Sequence, residues 1–206
     1  MLNRRIVLAG ALCVWPMLAR AQEVGPVPLR PGEVLRGRFV QERHLSGFAA
    51  ALRTEGHFVL APGRGLIWQA ETPFAVRTVI TPAGLTQRIG AEETLRLSAE
   101  RIPFLARLSD MLTGTLARDW SALEQDFALS RSGEAAAWQV VLTPRRAPDP
   151  ASMPFTRIVV AGGKLVDSVE MSRSGGDSDT VRFTEQAVSR APLRDDERQL
   201  LDGREQ

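Results

Sequence analysis

From Leu35 onward the chain alternates apolar and polar residues with a period of two, the signature of strands that bury one face. Leu35, Gly37, Phe39 and Gln41 share a face of the first such segment. Leu52, Thr54, Gly56, Phe58 and Leu60 share a face of the second, with Arg53, Glu55 and His57 opposite. Leu66, Trp68 and Ala70 follow the turn Pro62-Gly63-Arg64-Gly65. Val76, Thr78 and Ile80 come after Pro73, and Leu85, Gln87 and Ile89 after Pro82-Ala83-Gly84. The pattern resumes at Phe127 and Leu129, at Trp138, Val140 and Leu142, and in the segments Phe155 to Val160, Leu165 to Met171 and Thr180 to Phe183. Turn residues separate these short runs, so an antiparallel meander is the economical reading.

The middle of the chain has a different period. Ile102, Leu105, Leu108, Met111 and Leu112 recur at helical spacing from Ala99 onward, with Pro103 in the first turn and Gly114 as a stop. A shorter helical turn is expected around Asp119 to Glu124, and a short surface helix in the charged tail from Leu193 to Leu201. The Pro26, Pro28 and Pro31 stretch reads as an extended lead-in over 22–33, ahead of one domain over 34–190 and a tail over 191–206. The prediction is an α+β domain of about ten or eleven strands and one substantial helix. A single sheet covered by one helix has surplus apolar surface, which a strongly curved sheet resolves by wrapping round a cavity. Phe39, Phe58, Trp68, Phe74, Phe104, Trp120, Phe127 and Trp138 are placed either to line such a space or to pack a core; the pattern leaves both open.

Composition narrows the function. With 44% hydrophobic and 24% charged residues the 206-residue chain is globular, not disordered. Its first 21 residues read as a cleavable export signal: Arg4-Arg5, an apolar run from Ile6 to Leu18, and Ala19-Arg20-Ala21 before the expected cut. The Arg pair leaves general and twin-arginine export both open. Leu12 before Cys13 does not fit a lipidation site. Removing Arg4, Arg5 and Arg20 changes the formal charge from +2 to −1, which argues against a nucleic-acid binder. The one cysteine, Cys13, goes with them, so thiolate chemistry and disulfides are not expected beyond residue 21. The expected location is the periplasm.

Catalytic patterns are scarce. Nucleophile-elbow, phosphate-loop, dinucleotide and zinc-protease motifs are missing. The two histidines, His44 and His57, read as surface residues, His57 on the face shared with Arg53 and Glu55. Glu92-Glu93 reads as a turn and Asp195-Asp196 as part of the solvated tail. The expectation is no enzyme, no metal and no cofactor.

Several short motifs occur in a telling order: Phe39-Val40-Gln41, then Glu55 to Gly63 (EGHFVLAPG), Leu66-Ile67-Trp68, Thr72-Pro73, Ile102-Pro103-Phe104-Leu105, and Trp138 to Pro144 (WQVVLTP). From about Leu35 to Gln186 the chain resembles the periplasmic outer-membrane lipoprotein carriers of the LolA family. The resemblance implies an incomplete, strongly curved antiparallel β-barrel with a helical lid over a hydrophobic cavity. It implies acyl chains of a lipoprotein or other lipid as cargo, an inner-membrane transporter as donor and an outer-membrane acceptor. On that basis Phe39, Phe58, Leu66, Trp68, Phe74, Val76, Ile80 and Trp138 are expected to form the cavity wall, with Phe104, Leu105, Leu108, Met111 and Leu112 covering it. The expected molecule is a monomer. A non-transporting acyl sensor or protein-interaction module on the same fold is the alternative. Two departures stand out: Ala61 occupies the place of the family's Arg before the Pro-Gly turn, and the proline-rich lead-in replaces an N-terminal helix.

Overall fold

A computed structural model describes residues 29–100, 121–146 and 155–204. Eleven strands form one antiparallel sheet: β1 (Val34–His44), β2 (Leu52–Ala61), β3 (Gly65–Thr72), β4 (Val76–Thr81), β5 (Gly84–Ile89), β6 (Glu92–Ser98), β7 (Phe127–Glu134), β8 (Ala137–Pro144), β9 (Phe155–Gly162), β10 (Val166–Arg173) and β11 (Ser178–Ser189). The spatial order is β6-β5-β4-β3-β2-β1-β11-β10-β9-β8-β7. Two meanders, β1–β6 and β7–β11, are therefore joined through the pairing of β1 with β11. The sheet is open, with β6 and β7 as its edges.

Residues opposite each other in an antiparallel pair project to the same side, so the register defines two faces. The inner face carries Leu35, Phe39, Phe58, Leu60, Leu66, Ala70, Ile80 and Val181 as one buried cluster, with Trp68, Val76, Met171 and Phe183 packed against it. Through Met171 it continues into a second cluster, built from Phe127, Trp138, Val140, Leu142, Ile158 and Val160 with Leu123. The outer face has a smaller third cluster, Val34, Val59, Ala61, Ile67 and Val79.

That third cluster exists because of the C-terminal helix. Besides α1 (Ser121–Glu124), the described residues contain α2 (Asp195–Leu201). Leu193 and Leu201 are buried and lie on the outer-face cluster together with half-buried Leu200. The expected surface helix is thus a packed element, and its apolar residues close over the β2–β4 side of the sheet. Glu197, only 2% exposed, fastens it by accepting two hydrogen bonds from the Arg36 guanidinium, at 2.9 and 2.6 Å. The same carboxylate accepts the Arg194 N–H at 2.8 Å, satisfying a donor at the helix start that has no partner within the helix.

A second correction concerns Glu92-Glu93. They open the edge strand β6, where Glu92 pairs with Ile89 and Leu97 with Leu85. The helical stretch expected from Ile102 to Leu112 lies outside the described residues.

Candidate functional site

The centre of the inner face is aromatic. Phe39 on β1 and Trp68 on β3 stack with ring centroids 3.7 Å apart. Phe183 on β11 meets Phe58 edge-on at 5.3 Å and Trp68 at 6.1 Å. Four rings from four strands thus touch, although β2 runs between β1 and β3. Gly56 makes this possible: it pairs with both Phe39 and Ala70 and leaves no side chain between the rings. A Cβ on Gly56 would come within 1.9 Å of the Gln69 carbonyl oxygen. Gly37 plays the same part beneath Phe58, whose Cε1 would lie 2.8 Å from an added Cβ. Opposite Gly37, the β1–β11 register shifts between Arg36 and Arg38, and Glu185 on β11 takes a left-handed backbone with φ of 52°. This is a β-bulge, a device that bends and twists a sheet locally.

The two ends of this face differ. At the end holding the β2–β3 and β9–β10 turns, Leu29, Leu35, Leu60, Leu66 and Leu165 pack together, and Leu29 comes from the proline-rich lead-in. At the opposite end large apolar side chains are left in solvent: Phe48 at 73% exposure in the β1–β2 loop, Leu52 at 59% and Phe74 at 74%. Ile89, at the end of β5, is exposed as well.

Of the wall residues expected from sequence, Phe39, Phe58, Leu66 and Ile80 are buried on the inner face and Trp68 and Val76 half-buried there. Phe74 is not brought to the cluster: it sits in the short β3–β4 connection just after the cis Thr72-Pro73 bond, and that connection carries it past the end of the sheet. Trp138 is 2% exposed, its Nε1–H donating to the Gly163 carbonyl at 2.5 Å, and packs in the second cluster instead of the aromatic centre. Phe104, Leu105, Leu108, Met111 and Leu112 lie outside the described residues.

One inner-face feature carries charge and was not anticipated. Asp179 on β11 has no exposed side-chain surface. Its Oδ1 accepts from Arg43 Nε at 2.7 Å and Gln41 Nε2 at 3.0 Å, and Arg173 lies 2.7 Å from Oδ2. Gln41 was placed on the apolar side of β1 by alternation, and this polar residue on an apolar stripe was the signal available.

Beyond the patch covered by α2, the outer face is solvated and charged. Glu71 accepts from Arg38 at 2.9 Å and lies 2.7 Å from His57 Nδ1; the His57 and Arg38 hydrogen bonds hold its carboxyl below the usual range. Glu42 bridges Arg182 and Arg53, and its carboxyl is likewise lowered, chiefly by the Arg182 hydrogen bond. His57 is therefore a hydrogen-bond partner of Glu71 on a surface. Among the described residues there is no cluster of His, Cys, Asp or Glu able to hold a metal ion. No helix among them is long and apolar enough to cross a membrane. A cleft of about 280 Å³ opens beside α2, lined by Val79, Thr86, Arg96, Leu200 and Leu201.

The described strands thus form an open antiparallel sheet whose inner face is largely apolar, with one buried charge cluster near one end. The chain belongs to the outer membrane lipoprotein carrier protein LolA-like family, whose model matches residues 27–197. Its matched span runs from the proline-rich lead-in through all eleven strands and ends within the first turn of α2. No curated protein matches the sequence. Among solved structures, a LolA superfamily protein from Nitrosomonas europaea is similar at 11% identity, covering 81% of this chain and 88% of that one, with a TM-score of 0.41. The MucA/MucB complex of Pseudomonas aeruginosa matches at 15% identity over 81% of this chain and 55% of that one, TM-score 0.48. A DUF1329 family protein from Desulfovibrio piger matches at 10% identity over 79% and 88%, TM-score 0.39. The sequence match alone carries the family assignment.

Proposed function

We propose that this protein is a periplasmic carrier that binds the acyl chains of a lipoprotein or other lipid along the inner face of its sheet and shuttles them towards the outer membrane. The observation that carries this reading is the continuous apolar inner face with its four-ring aromatic centre, packed shut at one end and fringed by exposed apolar side chains at the other. Family membership supports the same class of cargo.

The energetics suit a carrier. Burying a methylene is worth about 0.8 kcal/mol, so a chain of about 16 carbons gains roughly 13 kcal/mol gross. Opening, ordering and association costs offset much of this, which leaves binding tight enough to shield the chain and loose enough to release it. No step in this function needs a reacting group: the aromatic wall excludes water, and the exposed end admits and releases the chain.

Native mass spectrometry of protein purified from its own cell envelope tests the proposal. A co-purifying acylated molecule, displaced by excess fatty acid, is the expected result. A bare monomer that takes up no fluorescent fatty-acid probe would overturn it.

A further inference from the structure

We infer that the Arg43–Asp179–Arg173 cluster on the inner face is a seat for the anionic headgroup of an amphiphile whose chain lies on the adjoining apolar strip. The inference rests on the acyl-binding reading and specifies its ligand class.

The cluster is out of place as packing. Register puts it on the apolar side: Asp179 pairs with Arg43 across one strand boundary and with Met171 across the other. Its neighbours along that face are Val181, one pair further in, and Phe155, whose ring lies 5.3 Å from the Arg173 guanidinium carbon. One buried carboxylate meets two guanidinium groups, so the cluster holds one excess positive charge against apolar surface. If Asp179 served only to neutralise an arginine, one partner would suffice.

The donors are also incompletely used. Arg43 gives Asp179 its Nε–H at 2.7 Å, leaving its terminal nitrogens free of other partners among the described residues. Arg173 sits 2.7 Å from Oδ2 as an ion pair without hydrogen-bond alignment, and Oδ2 is a buried oxygen with no hydrogen bond. Asp179 is fully buried while Arg43 and Arg173 keep 43% and 25% of their side-chain surface exposed. The carboxylate thus anchors two planar donors that each keep part of their surface free. Two guanidinium groups held in this way match a carboxylate or a phosphate, which accept paired N–H bonds. The cluster lies towards the end of the sheet where Phe48, Leu52 and Phe74 are exposed. A headgroup would rest near that mouth while its chain runs inward over Val181 and Met171 towards the Phe39 and Phe183 rings.

Three single-chain probes of equal chain length separate the possibilities, at a pH above the carboxylate range: cis-parinaric acid, its methyl ester, and a lysophosphatidic acid measured by displacement of the ester. The full-length protein is expected to bind the acid at least about tenfold more tightly than the ester, the scale of charge-assisted hydrogen bonds. In Arg43→Gln the ratio is expected to fall towards one with ester binding unchanged. Arg173→Gln, which leaves the Arg43–Asp179 bond in place, is the second variant and is expected to lower the ratio too. Tighter binding of the lysophosphatidic acid than of the parinaric acid assigns the seat to phosphate, and the reverse order to carboxylate. Equal affinity for acid and ester in the unaltered protein, or a ratio unchanged in both variants, overturns the headgroup seat while leaving acyl binding intact. Failure of all three probes to bind overturns the seat together with the acyl-binding reading beneath it.

Discussion

Phe39 and Phe74 are the same residue type in opposite situations, one 1% exposed and stacked on Trp68, the other 74% exposed beyond the sheet. Replacing Phe39 by alanine is expected to cost about 3–5 kcal/mol in urea denaturation, because it removes a ring from a packed cluster and leaves a cavity. Replacing Phe74 by alanine is expected to stay within about 0.5 kcal/mol of the unaltered protein. Alternation could not separate the two, since a residue just past the end of a strand obeys the local pattern without sharing the strand's face. Gly56 makes the complementary point. Its alanine variant must move the Gln69 carbonyl, which is backbone and cannot yield as a side-chain tip can. Gly56→Ala is therefore expected to be destabilised by more than Gly37→Ala, whose added methyl meets only side-chain atoms; melting temperatures of the pair check the order.

At the scale of elements, α2 is held by one polar clasp and one apolar contact. Burial pushes the Glu197 carboxyl up, but the Arg36 hydrogen bond and the Arg194 N–H outweigh it and hold the group below its usual range. A lowered folded pKa means stability that is present above the unfolded value of about 4.3 and lost as pH falls through the folded one. The stability of the unaltered protein is thus expected to drop below about pH 4.3 more steeply than that of Glu197→Gln, compared by denaturant titrations across that range. Near neutral pH, Glu197→Ala is expected to cost somewhat less than the ~3–5 kcal/mol of breaking a fully buried pair, because Arg36 keeps some solvent. Ten of the eleven strands were legible from alternation and turn residues, because one face of each is apolar. β6 was not: its Glu92-Glu93 opening and largely exposed surface give an edge strand little apolar contrast. The packing of α2 did leave a trace. Phe58-Val59-Leu60-Ala61, Leu66-Ile67 and Val79-Ile80 are apolar at both parities, and a strand apolar on both sides is one covered on both sides.

For the whole molecule, one antiparallel sheet with an apolar face followed from the strand pattern and its openness from the family resemblance, whereas the buried Asp179 cluster followed from neither. Gln41 and Arg43 come from β1 while Arg173 and Asp179 come from the β10–β11 hairpin, and only the long-range β1–β11 register brings the two pairs together. Because the proposed ligand binds the folded sheet and not the unfolded chain, it stabilises by mass action. A fatty acid at about 100 times its dissociation constant is expected to add about 2.7 kcal/mol to the unfolding free energy, read as a rise in melting temperature. A melting temperature indifferent to the fatty acid would count against binding on this face.

The junction of the two meanders has a consequence for how the chain reaches its final form. β1 and β11 stand at opposite ends of the described sequence, yet each is the other's neighbour at the centre of the sheet. A chain that emerges from its amino terminus first must keep one side of β1 unpaired until the last strand arrives, and such a side is a template for wrong partners. Completion of the fold is therefore a late, long-range event, expected on the millisecond-to-second scale of sheet proteins rich in non-local contacts. A polypeptide stopped before Ser178 is expected to sediment as aggregate and to lack a cooperative urea transition. A soluble, cooperatively unfolding fragment would show that the first meander stands by itself.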